Sequence, residues 1–288
     1  MRRNPLKIHA ICLALNEDPF IENTIKGLYD SCSGISVITQ YDRDYYNNFV
    51  IPDNTIYKVV NYPDPSGKIH LVVRRFKDET AARNHEMLAI CNSPTKGIMD
   101  HGNPLEIVNK FHEKPDYFLI VDADEIYEPD VLGNMLQYLS DKRPSGMRTT
   151  GRQYLFTWNQ LIPKEVVHHH HFGFIKAGFI FEQRRVISWN ESRLQKLLTI
   201  LGLPDFSAKI YGFIDCPEEV GVYHHGSYLG GIDRLERKFK MHSHPDIVLR
   251  PGYVEGIVNL PFTHLTSEEI PNFIKNGVWP DNFFDPQK

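Results

Sequence analysis

The sequence predicts a mixed α/β protein: a sheet with helices on its flanks. Three observations carry this expectation. Short apolar runs alternate with helical patterns through the first half, as in sheets built with crossover helices. One run, Tyr117 to Val121, is apolar at every position and bounded by a turn, which fits a strand buried on both faces. Finally, 288 residues that are 41% hydrophobic and 24% charged can bury a substantial core without disulfides and exclude disorder as the main state.

The elements follow in order. Lys7 to Leu15 reads as a strand ending at Asn16-Glu17. Asp18 is placed to cap a helix with Pro19 in its first turn, and Ile21, Ile25 and Leu28 give that helix one buried face. A second strand, Ile35 to Tyr41, ends at Asp42. A third is expected from Thr55 to Tyr62, and another extended stretch from His70 to Phe76, before a helix from about Asp78 to Cys91. A helix from Leu105 to His112 precedes the Tyr117 strand, which stops abruptly at Asp122-Ala123-Asp124-Glu125. Beyond Gly146 come aromatic-rich strands at Tyr154 to Trp158, Phe172 to Phe181 and Val186 to Trp189. A helix near Arg193 to Leu201, a strand at Val220 to His224, and a helix marked by Ile232, Leu235, Phe239 and His242 complete the pattern. The last forty or so residues, rich in Pro, Gly and Asn, read as an extension over the domain.

The charge balance, 32 Lys+Arg against 36 Asp+Glu, gives −4 and removes the simplest case for a nucleic-acid binder. Cys12, Cys32, Cys91 and Cys216 lie far apart with no CxxC pair, so they read as reduced, mostly buried thiols. No stretch reaches the roughly 18 apolar residues of a membrane span, and the N-terminus does not read as a signal peptide. A cytoplasmic location is the expectation.

Chemistry concentrates at Asp122, Asp124 and Glu125, at the carboxyl end of a buried strand, where open α/β sheets bind ligands. Clustered acids repel, and a hard divalent cation, Mn2+ or Mg2+, relieves that repulsion while also taking substrate phosphates. Because the strand stops abruptly here, the two aspartates need not share a face, so one can hold metal while the other accepts hydrogen bonds from sugar hydroxyls. The alternative is a solvated turn leading to a helix before Pro129. Arg83 shares a face with Met87 and Ile90 near a helix start, so it needs an anionic partner: a ligand, or Asp42, Asp78 or Glu79. Asn16-Glu17 is equally well explained as a helix-entry turn.

Taken together, Ala14-Leu15-Asn16-Glu17, Asp42, Ala82-Arg83-Asn84 and Leu119-Ile120-Val121-Asp122-Ala123-Asp124-Glu125 resemble the nucleotide-sugar-binding half of GT-A glycosyltransferases, especially family 2. The resemblance covers residues 7 to 130. It implies a Rossmann-like mixed sheet in which Leu15, Asn16, Glu17 and Asp42 hold the base, Arg83 approaches the nucleotide, Asp122 touches the ribose, Ala123 belongs to the same nucleotide-binding set, and Asp124 binds the metal. Downstream, His224-His225-Gly226-Ser227-Tyr228, followed by Arg234, Lys238 and His242, resembles a later segment of such transferases in which a histidine completes the metal site. His225 matches that pattern best and His224 is the alternative; on a strand the two face opposite sides.

The resemblance implies a catalytic domain over residues 1–230, with a nucleotide-sugar-binding half at 1–130 and an acceptor half at 131–230, then a C-terminal helix and extension at 231–288. It implies transfer of a sugar from a nucleoside diphosphate donor, a UDP-sugar preferred, to a hydroxyl of a glycan or small molecule. A carboxylate must then deprotonate the acceptor if the anomeric centre inverts, with Glu191 first and Glu182 second as candidates. His168 to His171 alternate faces on a strand and cannot all ligate one ion; they read as a partly exposed strand or loop, for which the acceptor cleft is one place, in preference to a zinc site, since no Cys or spaced carboxylate accompanies them. The basic groups Arg184-Arg185 and Arg234, Arg237, Lys238 and Lys240 are expected on solvated faces.

Three other functions share parts of this pattern. A sugar nucleotidylyltransferase needs a Gly-rich phosphate loop that the N-terminus lacks. Hydroxylated bases in DNA are a second acceptor class, for which the basic groups would serve. A noncatalytic carbohydrate- or nucleic-acid-binding module could reuse the aromatic strands.

Overall fold

The computed structural model describes residues 5–44, 48–92, 114–167, 169–183, 186–188, 212–241 and 252–285. Its centre is a mixed sheet with helices on both sides. Four parallel strands, β1 (Ile8–Leu13), β2 (Gly34–Thr39), β3 (Ile69–Val73) and β4 (Tyr117–Asp122), stand in the order β3-β2-β1-β4. β4 then pairs with the antiparallel β8 (His169–Lys176), and β8 with β6 (Gly146–Phe156), so the sheet changes from parallel to mixed at that edge.

Burial alternates along the central strands, as the pleat requires. Ile8, Ala10 and Cys12 of β1 pack with Ile21, Ile25 and Leu28 of helix α1 (Asp18–Tyr29), while Ile11 and Leu13 pack with Ala82, Met87 and Ile90 of helix α3 (Glu79–Asn92). The expected apolar face of α1 is therefore realised. Its first residue is Asp18, and the residue at the cap, Glu17, makes no side-chain cap bond; Asp18 N–H instead donates to Asp53 Oδ2 at 2.9 Å. α1 lies so close to the chain after β4 that a Cβ on Gly27 would sit 2.2 Å from the Tyr127 carbonyl oxygen.

The strand expected at Thr55 to Tyr62 is instead helix α2 (Thr55–Val60). Its β-branched residues favour extended structure, but Asp53 Oδ1 accepts the Thr55 N–H at 2.8 Å and starts a turn. Thr55 and Val59, one helical turn apart, are then buried together. Tertiary packing against α1 outweighs a weak local preference.

After β4 come the two-residue strand β5 (Glu125–Ile126), helix α4 (Pro129–Lys142), β6 and the short β7 (Gln160–Leu161). The single aromatic strand expected from Phe172 to Phe181 is divided: β8 ends at Lys176, a turn with Gly178 at positive φ follows, and β9 (Ile180–Gln183) pairs antiparallel with β10 (Val186–Ser188) in a separate two-stranded sheet. β11 (Phe213–Asp215) and β12 (Tyr223–Leu229) both run parallel to β6, and β12 also meets β5. Helix α5 (Gly231–Met241) leaves β12 through Gly230 and Gly231, both at positive φ. The helices expected at 105–112 and 193–201 lie outside the described residues.

The C-terminal segment completes part of the core. Ile270, Ile274 and Phe283 are buried with Phe20, Tyr154 and Trp158, and the Trp158 backbone N–H donates to the Phe283 carbonyl at 2.8 Å. No described helix is long and apolar enough to cross a membrane.

Candidate active site

Strand order reverses at β1: β2 lies on one side of it and β4 on the other. Such a switch point leaves a crevice at the carboxyl ends of the strands. Leu13 stands opposite Asp122 in the β1–β4 register, and Ala123 N–H donates to the Leu13 carbonyl at 2.8 Å. The two chain segments that carry the motifs, 14–17 and 122–125, therefore emerge side by side.

Asp122 and Asp124 diverge. Asp122 Oδ1 accepts from Arg83 Nη2 at 2.7 Å, and Arg83, only 1% exposed, also donates to Glu79 Oε2 at 3.1 Å. The anionic partners that Arg83 requires are thus Asp122 and Glu79; Asp42 pairs more loosely with Arg75 at 3.7 Å. Below the turn, Glu125 is buried. Its Oε2 accepts the Asp122 N–H at 3.1 Å and its Oε1 meets His171 Nε2 at 3.0 Å, with the Tyr223 hydroxyl 2.9 Å from the same ring nitrogen. The acid after the two aspartates thus braces the turn from underneath.

Asp124 is 3% exposed and lies in a second set of contacts. Ser227 Oγ donates to its Oδ2 at 2.8 Å, and the Lys238 ammonium bonds the same oxygen. Its Oδ1 faces His225 Nε2 at 3.6 Å. Lys238 also donates to Glu17 Oε1 at 2.7 Å, and Glu17 Oε2 receives Arg234 Nη2 at 3.0 Å. Arg234 and Lys238 are one turn apart on α5, so both point at the crevice. Two carboxylates and two cations form a buried, charge-balanced group. Burial alone would raise the Asp124 carboxyl, yet Lys238 and His225 hold it well below the usual range. Burial alone would likewise lower the Lys238 ammonium, and Asp124 and Glu17 keep it above its ordinary value. Burial raises Glu17, against the pull of Lys238.

The donor set suits a hard cation that shares its ligands with a substrate. Asp124 Oδ1 and His225 Nε2 face one another, and Mg2+ or Mn2+ is commonly held by one or two protein groups plus phosphate oxygens. Among the described residues no group of three or more His, Cys, Asp or Glu could hold a metal unaided.

The other expected residues are distributed as follows. Asn16, at φ 52°, bonds the 51–53 segment: its Nδ2 donates to the Ile51 carbonyl at 2.8 Å and its Oδ1 accepts the Asp53 N–H at 3.3 Å. Leu15 is half-buried beside it, and Ala123 is buried, its carbonyl accepting from Thr24 Oγ1. His224 faces away from the crevice, between the Tyr154 hydroxyl at 2.8 Å and Glu128 Oε1 at 3.0 Å. Glu182 belongs to β9, which Asn84 grips through the Phe181 backbone at 2.6 and 2.8 Å; Glu191 and His242 lie outside the described residues. His170 and His171 do point apart, the former to Asp215 at 3.1 Å. Arg234 and Lys238 are not on a solvated face; buried carboxylates draw them inward. Sequence reading missed the pairing of these cations with Glu17 and Asp124; their four-residue spacing signals only that they share a helix face.

No family model matches the chain, and no curated protein matches it. Among solved structures it is similar to S. aureus TarS 1-349 in complex with UDP-GlcNAc, at 13% identity and a TM-score of 0.31, over 52% of this chain and 34% of that one. It is also similar to S. aureus TarS 1-349, at 11% and 0.38 over 86% and 74%. A third is glucosyl-3-phosphoglycerate synthase from Mycobacterium tuberculosis in complex with Mn2+, UDP and phosphoglyceric acid, at 13% and 0.41 over 89% and 80%. The chain spans about a third of the first of these.

Proposed function

We propose that the chain is a GT-A-type glycosyltransferase that moves a sugar from a nucleoside diphosphate, a UDP-sugar in the first instance, to a hydroxyl acceptor. One observation carries the reading: the switch-point crevice gathers Asp122 with Arg83, and Asp124 with His225, on two diverging carboxylates. In this reading Asp122 accepts hydrogen bonds from the donor's ribose or sugar hydroxyls, and Arg83 orients that carboxylate. Asp124 and His225 would hold Mn2+ or Mg2+, which when bound supplies positive charge for the departing diphosphate. Leu15, Asn16, Glu17 and Asp42 remain the proposed surroundings of the base, with Asn16 and Glu17 acting through the loop and the ion pairs they hold. Glu191, or Glu182, remains the proposed base toward the acceptor. The 1–130, 131–230 and 231–288 division stays the proposed organisation, and a cytoplasmic site of action the proposed location.

A glycan or small molecule is favoured over DNA as acceptor. Arg234 and Lys238 are committed to Glu17 and Asp124, so they are withdrawn from a phosphate-contacting face. Release of UDP from UDP-glucose and related donors, with and without Mn2+, tests the proposal. Activity in the wild type that is lost in Asp124→Ala supports it. If Asp124→Ala turns over donors as the wild type does, the assignment fails.

A further inference from the structure

Lys238 occupies the space between two acids of the crevice. Its ammonium joins Glu17, from the end of β1, to Asp124, from the end of β4, across the crevice. It is a built contact rather than a surface encounter: the Lys238 side chain is 16% exposed, Glu17 11% and Asp124 4%. Arg234 fixes the far side of Glu17 and is itself tied down by the Ser227 and Leu229 carbonyls, each at 3.0 Å, and by the Phe20 ring, 4.6 Å away.

We propose that Lys238 is an internal counter-cation that competes with divalent metal for Asp124, so that metal enters the site together with the nucleotide and not before it. Charge balance is the reason. Glu17 and Asp124 carry two negative charges, and Lys238 and Arg234 carry two positive charges. A dication added to this balanced, poorly solvated group meets the ammonium at short range, where repulsion is strong. A nucleoside diphosphate brings the missing negative charge and further oxygen ligands, which offsets that repulsion. Lys238 thereby keeps Asp124 paired whenever no nucleotide is bound and favours metal–nucleotide over free metal.

The proposal deepens the glycosyltransferase reading, resting on it for the nucleotide's identity but not for the competition itself. The test is Mn2+ binding without nucleotide, followed by electron paramagnetic resonance of the free ion. Wild type should bind Mn2+ weakly, Lys238→Gln at least tenfold more tightly, and Lys238→Arg as weakly as wild type. Because Lys238→Gln leaves two buried carboxylates facing one cation, the charge-balanced pair Glu17→Gln with Lys238→Gln is measured beside it; it removes the ammonium at short range but also one attracting carboxylate, so a smaller gain than in the single variant is expected. Adding Asp124→Asn to that pair should remove the gain. Unchanged or weaker Mn2+ binding in both the single and the paired variant overturns the proposal. Failure of every nucleoside diphosphate to bind any form would instead overturn the functional reading, leaving the metal result to stand by itself.

Discussion

Two histidines, His9 of β1 and His70 of β3, on either side of β2, are sealed in the sheet beside α3, remote from the crevice. His9 Nε2 is 2.9 Å from Ser36 Oγ, whose own proton goes to Glu86 Oε1 at 2.7 Å, so the ring must be the donor in the first contact. His70 stacks on His9 with centroids 6.2 Å apart. Burial, then the neighbouring His70, pushes His9 from 6.5 down to about 3; burial pushes His70 down to about 4, with Asp64 opposing. Both rings are neutral when folded, whereas the unfolded chain takes up protons below pH 6.5. Stability should therefore fall from pH 6.5 toward about 4, by about 2 kcal/mol for each ring between pH 7 and 5. His9→Gln, which keeps a donor for Ser36, should shrink the pH 7-to-5 loss by about 2 kcal/mol in urea unfolding; an unchanged loss would refute the assignment. At the site, His225→Ala should weaken Mn2+–UDP binding at least tenfold while changing stability little. His224→Ala, which strands the buried Tyr154 hydroxyl and Glu128, should instead cost about 1–3 kcal/mol of stability and leave that affinity within about twofold in calorimetry. The opposite pattern would place the metal on the other face of β12. Strand alternation made this division of the two histidines legible in the sequence. The partners of Glu17 were not, because residues 17 and 238 meet only through the fold.

Among the elements, α1 sets the position of the crevice because it packs directly beneath the Asp122–Tyr127 turn. The close approach at Gly27 leaves no room for a methyl group against a backbone oxygen. Gly27→Ala should push α1 away and cost about 2–3 kcal/mol, since a backbone contact cannot relax as a flexible side chain can. Thermal unfolding would show this as a lowered midpoint, and an unaltered midpoint would mean that α1 is not clamped. Long periodic or fully apolar segments, α1 and β4, were readable because their patterns match their buried faces over several residues. α2 was not, because six residues rich in Thr, Ile and Val suit either structure and its helix depends on Asp53 and on the α1 surface. The division of the 172–181 strand turns on the backbone at Gly178, φ 108°, which an apolar pattern does not encode.

For the molecule as a whole, the C-terminal segment and the crevice share one support. Phe20, from the first turn of α1, touches Phe283 and Trp279 at centroid separations of 5.2 and 5.8 Å and lies under the Arg234 guanidinium, 4.6 Å from the ring centroid. The extension thus belongs to the packing that holds α5 against the site. Phe283→Ala should cost about 3–5 kcal/mol and, by loosening Arg234, weaken nucleotide binding as well; a stability loss with unchanged binding would separate the two. The central claim, that the switch-point crevice takes a metal–nucleoside diphosphate on Asp124, is tested most directly by calorimetric titration of UDP into the wild type and Asp124→Ala, each with Mn2+ and with EDTA. The account predicts binding in the wild type that Mn2+ tightens at least tenfold, and no response to Mn2+ in Asp124→Ala. UDP binding that Mn2+ tightens equally in both proteins, or no binding of UDP to the wild type in either condition, would contradict it.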